Sequence, residues 1–142
     1  WLSVISAAFE RDPGIVQLYG PVDPMEGGLK NHLFLALANT FSRFGYYTRL
    51  FYYTLGCNTA FRKEAFFSGG MYHTVDAGDD LEIAKRMKDL GRVKYENRMR
   101  VVFSMRRYEQ FGTLQSLYEW VYIVAQGGDS EKHSYSKREY KK

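Results

Sequence analysis

GDDLEIAKRMKDLGRVKYEN, residues 78–97, joins a helical pattern to a strand-like one across a single glycine. Asp79 followed three residues later by Glu82 has the spacing of a capping box, with Asp79 as N-cap and Glu82 reaching back. The pattern predicts a helix from Asp80 to Leu90, an αL stop at Gly91, and a strand over RVKYEN. Asp80 is left over at the first helical position. There the helix macrodipole stabilises its charge by roughly 0.3–1 kcal/mol, so an ionised carboxylate is expected.

Upstream, WLSVISAAFERDPG places Leu2, Ile5, Ala8 and Phe9 on one helical face and stops at Asp12-Pro13-Gly14. IVQLYGPV reads as a strand closed by Gly20-Pro21, and residues 23–28 as loop. A helix is predicted from Leu29 to Phe44, apolar at Leu33, Leu37, Ala38 and Phe41 and ended by Gly45. Thr54 to Phe61 reads as extended, Lys63 to Phe67 as a short helix, and Gly69-Gly70 as a turn. Downstream, RVVFSMRRYEQFG reads as a strand leaving through basic residues into a loop. TLQSLYEWVYIVAQ reads as a helix with Leu114, Leu117, Tyr118, Val121 and Val124 on one face. Strands alternating with helices predict a layered α/β domain over residues 1–128. Residues 129–142 read as a polar, basic, disordered tail.

A chain of 142 residues with 45% hydrophobic content can bury a core and is not a disordered composition. Much of the net charge of +4 sits in the tail, so the folded part is nearly balanced. Cys57, the one cysteine, forbids an intrachain disulfide and fits a reducing compartment. No stretch is long and apolar enough to cross a bilayer. The opening residues, with no Met and no strand before them, read as the interior of a longer protein. The acids at 76, 79 and 80 lack the ligand ladder and closing Glu of a calcium loop, and His73 is a lone histidine. No metal ligand is assigned within the chain.

Three blocks in order carry more: GCNTAFRKEAFFSGGMY (56–72), GDDLEIAKRMKDLGRVKY (78–95) and SMRRYEQFGTL (104–114). Together they resemble the C-terminal half of family-2 glycosyltransferases of the GT-A type, over about residues 1–120. That family shows G-x-N-x-A-F-R-R-E-x-F, a G-G-F turn, an E-D-x-E/D-L helix, a G-R/K-V strand and S-x-R-R. The resemblance implies a partial GT-A-like mixed sheet flanked by helices, lacking the N-terminal nucleotide-binding strands. It puts Asp80 in the place of the catalytic base, with Asp79 replacing the usual Glu. Gly56 and Asn58 match G-x-N near the donor sugar, and Arg62 falls in the same block. Gly69 and Gly70 match the turn beside the acceptor, and Arg106 and Arg107 match cations facing a diphosphate or acidic acceptor. Asn58 as a turn residue and Arg62 as an ion-pair partner are the plainer readings of two of these positions.

On this reading the full-length protein inverts the anomeric carbon of a nucleotide-sugar donor as a glycan or lipid-linked acceptor hydroxyl attacks. Its divalent metal, Mg or Mn, would be held by a D-x-D that this chain lacks, so the chain alone is not expected to turn over. Tyr72, Tyr108, Phe111 and Trp120 are candidates for a sugar platform. The aromatic run FGYYTRLFYYTLG and the last helix suit association with the cytoplasmic face of a membrane, the cytoplasm being the other expected location. A bare apolar surface would favour a homodimer. The alternatives are a basic, aromatic-rich nucleic-acid-binding module and an inactive GT-A-like scaffold. The first is disfavoured because the charges cluster in the tail and no RNP-like strand is present.

Overall fold

The computed structural model describes residues 1–73 and 78–125, without the side chains of residues 107, 111, 113, 114, 117 and 120. It is a mixed α/β domain in which a small mixed sheet is flanked by helices. β1 (Ile15–Tyr19) is the middle strand, antiparallel to β3 (Thr59–Phe61) and parallel to β4 (Arg92–Tyr95). All five residues of β1 are buried, because helices cover both of its faces. α1 (Leu2–Arg11) lays Ile5 and Ala8 on Ile15, Leu18 and Met99. α4 (Asp79–Leu90) lays Ile83 and Met87 on Val16, Tyr19, Val93 and Tyr95.

Past Tyr19 the strand breaks and resumes as β2 (Val22–Pro24), which pairs in parallel with β5 (Val101–Phe103). Asp23 and Pro24 therefore lie in a strand, where the sequence suggested loop. The break sits at Gly20, where a Cβ would lie 2.0 Å from the Met99 carbonyl oxygen. Only a residue without a side chain lets the two backbones come that close. Asn58 closes the gap. Its fully buried amide donates to the carbonyls of Pro21 (2.8 Å) and Met99 (2.6 Å) and accepts from the Trp1 indole (2.9 Å).

α2 (Leu29–Thr48) buries Phe34, Leu35 and Ala38, with Asn31 and Ser42 on the same side, and leaves Leu33, Leu37 and Phe41 exposed. The expected apolar face is thus rotated, for a polar reason. Asn39 clamps both the N–H and the carbonyl of Val22 (3.0 and 2.9 Å), Ser42 donates to the Tyr53 carbonyl (2.6 Å), and Asn31 donates to Glu109 (2.9 Å). Gly45 does not end the helix. It lies inside it because a Cβ there would strike the Phe51 ring at 2.5 Å, and the left-handed residue after the last turn is Arg49. Gly91 also differs from expectation: it is extended rather than αL, and a Cβ would meet Val16 at 2.6 Å.

The segment Thr54 to Phe61 is extended only in part, since Gly56–Asn58 forms a 3-10 turn before β3. α3 (Lys63–Ser68) follows, then the Gly69-Gly70 turn. The residues after Met105, expected as loop, form α5 (Arg106–Phe111), held at its start by Glu26, which accepts from Ser104 and the Met105 amide at 2.6 Å each. α6 (Thr113–Ala125) buries Ile123 and packs Val124 of the expected face on the core, but leaves Tyr118 and Val121 of that face exposed; the side chains of Leu114 and Leu117 lie outside the described residues. The tail at 129–142 lies outside the described residues.

Asn58→Ala leaves two buried carbonyls and an indole N–H without their partner. At about 1 kcal/mol per lost bond, urea unfolding should show a loss of roughly 3 kcal/mol. A loss under about 1 kcal/mol would mean that the break is held by other contacts.

Candidate functional site

A cavity of about 220 Å³ opens between the Leu55–Cys57 segment, the start of α4, and α5 with α6. Leu55, Tyr108 and Ile123 give it an apolar wall, and Gly56, Cys57, Asp79 and Asp80 give it a polar one. It is water-accessible and large enough for several waters or one small polar group.

Two chain segments fix Asp80. Its Oδ2 accepts the Gly56 N–H at 3.1 Å and its Oδ1 accepts the Leu81 N–H at 2.9 Å. Its backbone carbonyl accepts the hydroxyl of the fully buried Thr54 at 2.7 Å. Burial, helped by the charge of Asp79, pushes the Asp80 carboxyl from 3.8 to about 6 against the pull of those amides. The expectation that the helix dipole would set its charge is therefore revised, because desolvation outweighs a dipole effect of roughly 0.3–1 kcal/mol. At pH 7 the group is still mostly ionised. Each oxygen keeps a second lone pair for another donor.

The expected capping box does not form. Gly78, left-handed at φ 83°, is the N-cap, and its carbonyl receives the amides of Leu81 (3.0 Å) and Glu82 (2.9 Å). Glu82 turns instead to the Arg86 guanidinium (2.6 and 2.7 Å) and lies 3.3 Å from His73. A two-pronged ionic bond outcompetes a single amide. Asp79 is exposed at the cavity mouth, and no hydrogen bond of its side chain is formed among the described residues. Tyr72 stands within electrostatic reach: burial raises its hydroxyl first, and the charges of Asp79 and Asp80 raise it further.

The structure gathers Gly56, Asp79, Asp80 and Tyr108 at the cavity, and places Asn58, Arg62, Gly69, Gly70 and Arg106 elsewhere. Asn58 is spent on the strand break. Arg62 donates to the carbonyls of Phe9 and Ile15, each at 3.0 Å, and stacks on the Phe9 ring, tying α1 to the sheet. Gly69 packs under Met87 and gives its carbonyl to Arg86, while Gly70 takes a left-handed φ of 83°. Arg106 is exposed and donates to Ser104 at 3.1 Å. The side chains of Arg107, Phe111 and Trp120 lie outside the described residues, as does Asp76.

Sequence reasoning missed Cys57, Thr54 and Arg86. Cys57 is exposed as a residue, yet its thiol is partly shielded at the cavity, and burial first, then Asp80's charge, pushes it up to about 11. It is a thiol at neutral pH and not a ready nucleophile. Thr54 carried no signal. Arg86, four residues after Glu82 on a helix, did.

The divalent metal implied by the family resemblance would be held by a D-x-D that this chain lacks, and no residue here is assigned to it. Among the described residues no three His, Cys, Asp or Glu side chains converge. Asp23 is engaged by Arg100 (2.5 and 2.8 Å). No protein-family model, curated protein or solved structure matches the chain.

A carboxyl whose folded-state pKa lies above its unfolded one stabilises the fold when protonated. That contribution is complete below pH 3.8 and is lost as pH rises through about 6. Relative to Asp80→Asn, the native chain should therefore lose roughly 2–3 kcal/mol between pH 4 and 7 in paired urea titrations. Parallel curves for the two proteins would show that Asp80 is not desolvated.

Proposed function

We propose that the chain is the acceptor side of a GT-A-type, family-2-like inverting glycosyltransferase, with Asp80 as the base. The observation that carries this reading is a half-protonatable carboxylate fixed in the wall of an open cavity. A base works best with a pKa near the working pH and a geometry set in advance, and Asp80 has both. The acceptor O–H would donate to a free lone pair of Asp80. As the acceptor oxygen bonds to the anomeric carbon, its proton passes to the carboxylate. The bond from that carbon to the nucleoside diphosphate breaks on the opposite face, inverting the centre. Leu55 and Tyr108 would supply an apolar bed for the acceptor. The donor's nucleotide would be bound by parts of a longer protein, and no step is routed through a metal.

A second reading rests on the hydrogen bonds that Asp80 accepts. The one from Gly56, with the Thr54 hydroxyl bond to the Asp80 carbonyl, suffices to lock α4 to that segment in a scaffold that performs no chemistry. Nucleic-acid binding is less favoured, because Arg86, Arg92, Arg98 and Arg100 are all engaged by carboxylates.

The two readings separate in the enzyme that contains this chain. Asp80→Asn should lower sugar transfer by about 100-fold or more while donor nucleotide still binds. Transfer should rise with pH through about 6 as Asp80 loses its proton. Since the charge of Asp79 raises the Asp80 pKa, Asp79→Asn should move that rise to lower pH. Undiminished transfer in Asp80→Asn would leave only the scaffold reading.

A further inference from the structure

α2 is apolar on two sides, and only one of them is used inside the protein. Leu29, Leu33, Leu37, Phe41 and Phe44 recur at three- and four-residue steps, so they form one stripe along the helix. Leu29 is 85% exposed, Leu33 59%, Leu37 52% and Phe44 54%. Tyr47 and Leu50, 69% and 74% exposed, extend the stripe at its C-terminal end. Twenty helical residues span roughly 30 Å, so this is a long exposed face rather than a scatter of single side chains.

Within the segment that carries the stripe the charge has one sign, and the acid nearest its C-terminal end, Asp89 beside Arg49 and Leu50, is accompanied by Lys85 and Lys88. Between Glu26 and Glu64 the sequence contains no acidic residue, while Lys30, Arg43 and Arg49 lie on α2 or directly after it. All three cations are exposed. A second copy of the chain would bring this strip against itself, cations facing cations with no carboxylate in the segment to neutralise them. An anionic lipid surface answers both features at once: acyl chains for Leu and Phe, headgroup charges for Lys and Arg, and the interface for Tyr47. Among the described residues no helix is long and apolar enough to cross a membrane, so the contact would be peripheral.

We propose that the outer face of α2 is a docking surface for an anionic bilayer, with Leu33, Leu37 and Phe44 entering the acyl boundary and Lys30, Arg43 and Arg49 meeting the headgroups. This assignment does not rest on the transferase reading and stands or falls without it.

The test is co-sedimentation of the whole chain with phosphatidylcholine vesicles, with and without phosphatidylserine. Binding should be about tenfold or more stronger with phosphatidylserine at low salt and should weaken as salt is added. Leu33→Gln with Leu37→Gln should reduce it about tenfold or more, as should Arg43→Glu with Arg49→Glu, with circular dichroism unchanged because these side chains are exposed. The tail is a rival source of charge, so a variant with Gln at Lys132, Lys137, Arg138, Lys141 and Lys142 should keep most of the binding. Equal binding to both vesicle types, indifference to the α2 substitutions, or loss of binding in the tail variant alone would overturn the proposal. So would a chain that ignores vesicles and sediments as a dimer which the Leu33 and Leu37 substitutions dissociate.

Discussion

The side-chain amide of Asn58 holds the place where two parallel ladders meet. Above the break β1 pairs with β4; below it β2 pairs with β5; between them the carbonyls of Pro21 and Met99 have no strand partner. Buried carbonyls left so would each cost about 1–3 kcal/mol. Asn is suited to the task because one planar group offers two donors and an acceptor, and all three are used. The same short turn that carries Asn58 begins at Gly56, whose N–H reaches Asp80. The position of the carboxylate is thereby tied to the sheet break through three consecutive residues.

That linkage explains why Asp80 sits where burial, not the helix terminus, decides its protonation. Thr54 and Gly56 pull the first turn of α4 against the 54–56 segment and shield the carboxyl from water. Two amides compensate the charge only in part, so the pKa comes to rest well above the usual carboxylate range. An exposed Asp at the same helical position would feel the dipole alone and stay ionised far below neutrality. Asp79 shows the contrast: adjacent in sequence, it is exposed and meets none of these constraints.

The sequence was legible where local chemistry and tertiary packing agreed. α1, β1, α3, α4 and β4 stand close to where their periodicity and glycines put them. It misled where one residue type serves two purposes. Gly45 looks like a helix stop but lies inside α2, where it admits the Phe51 ring; Gly91 does follow the last turn of α4, but extended rather than αL, where its missing side chain lets Val16 approach. Neither contact is encoded by the helical pattern, and the one to Val16 is long-range. Asp79 and Glu82 have cap spacing, yet Arg86 takes Glu82 and leaves capping to the backbone of Gly78. At the site, the order of the sequence blocks singled out Gly56, Asp79 and Asp80 together. Asn58 and Arg62 come from the same block but face the strand break and the end of α1. Spacing says that such residues lie near one another; it does not say which way they point.

α2 carries that ambiguity furthest. Its pattern of Leu and Phe offers two apolar faces of similar strength, so hydrophobic periodicity cannot choose between them. The choice is made by polar groups. Asn39 fits both the N–H and the carbonyl of Val22, and Ser42 fits the Tyr53 carbonyl. Turning the helix to bury Leu33 and Leu37 would break all three bonds and strand buried backbone groups, a cost of several kcal/mol that the extra apolar burial of two side chains would about match at best. Directional bonds therefore fix the rotation, and the unused apolar stripe is its direct consequence. The acid-free composition of that segment does not follow from the core at all, and it is the feature that the anionic bilayer proposed as the stripe's partner would match.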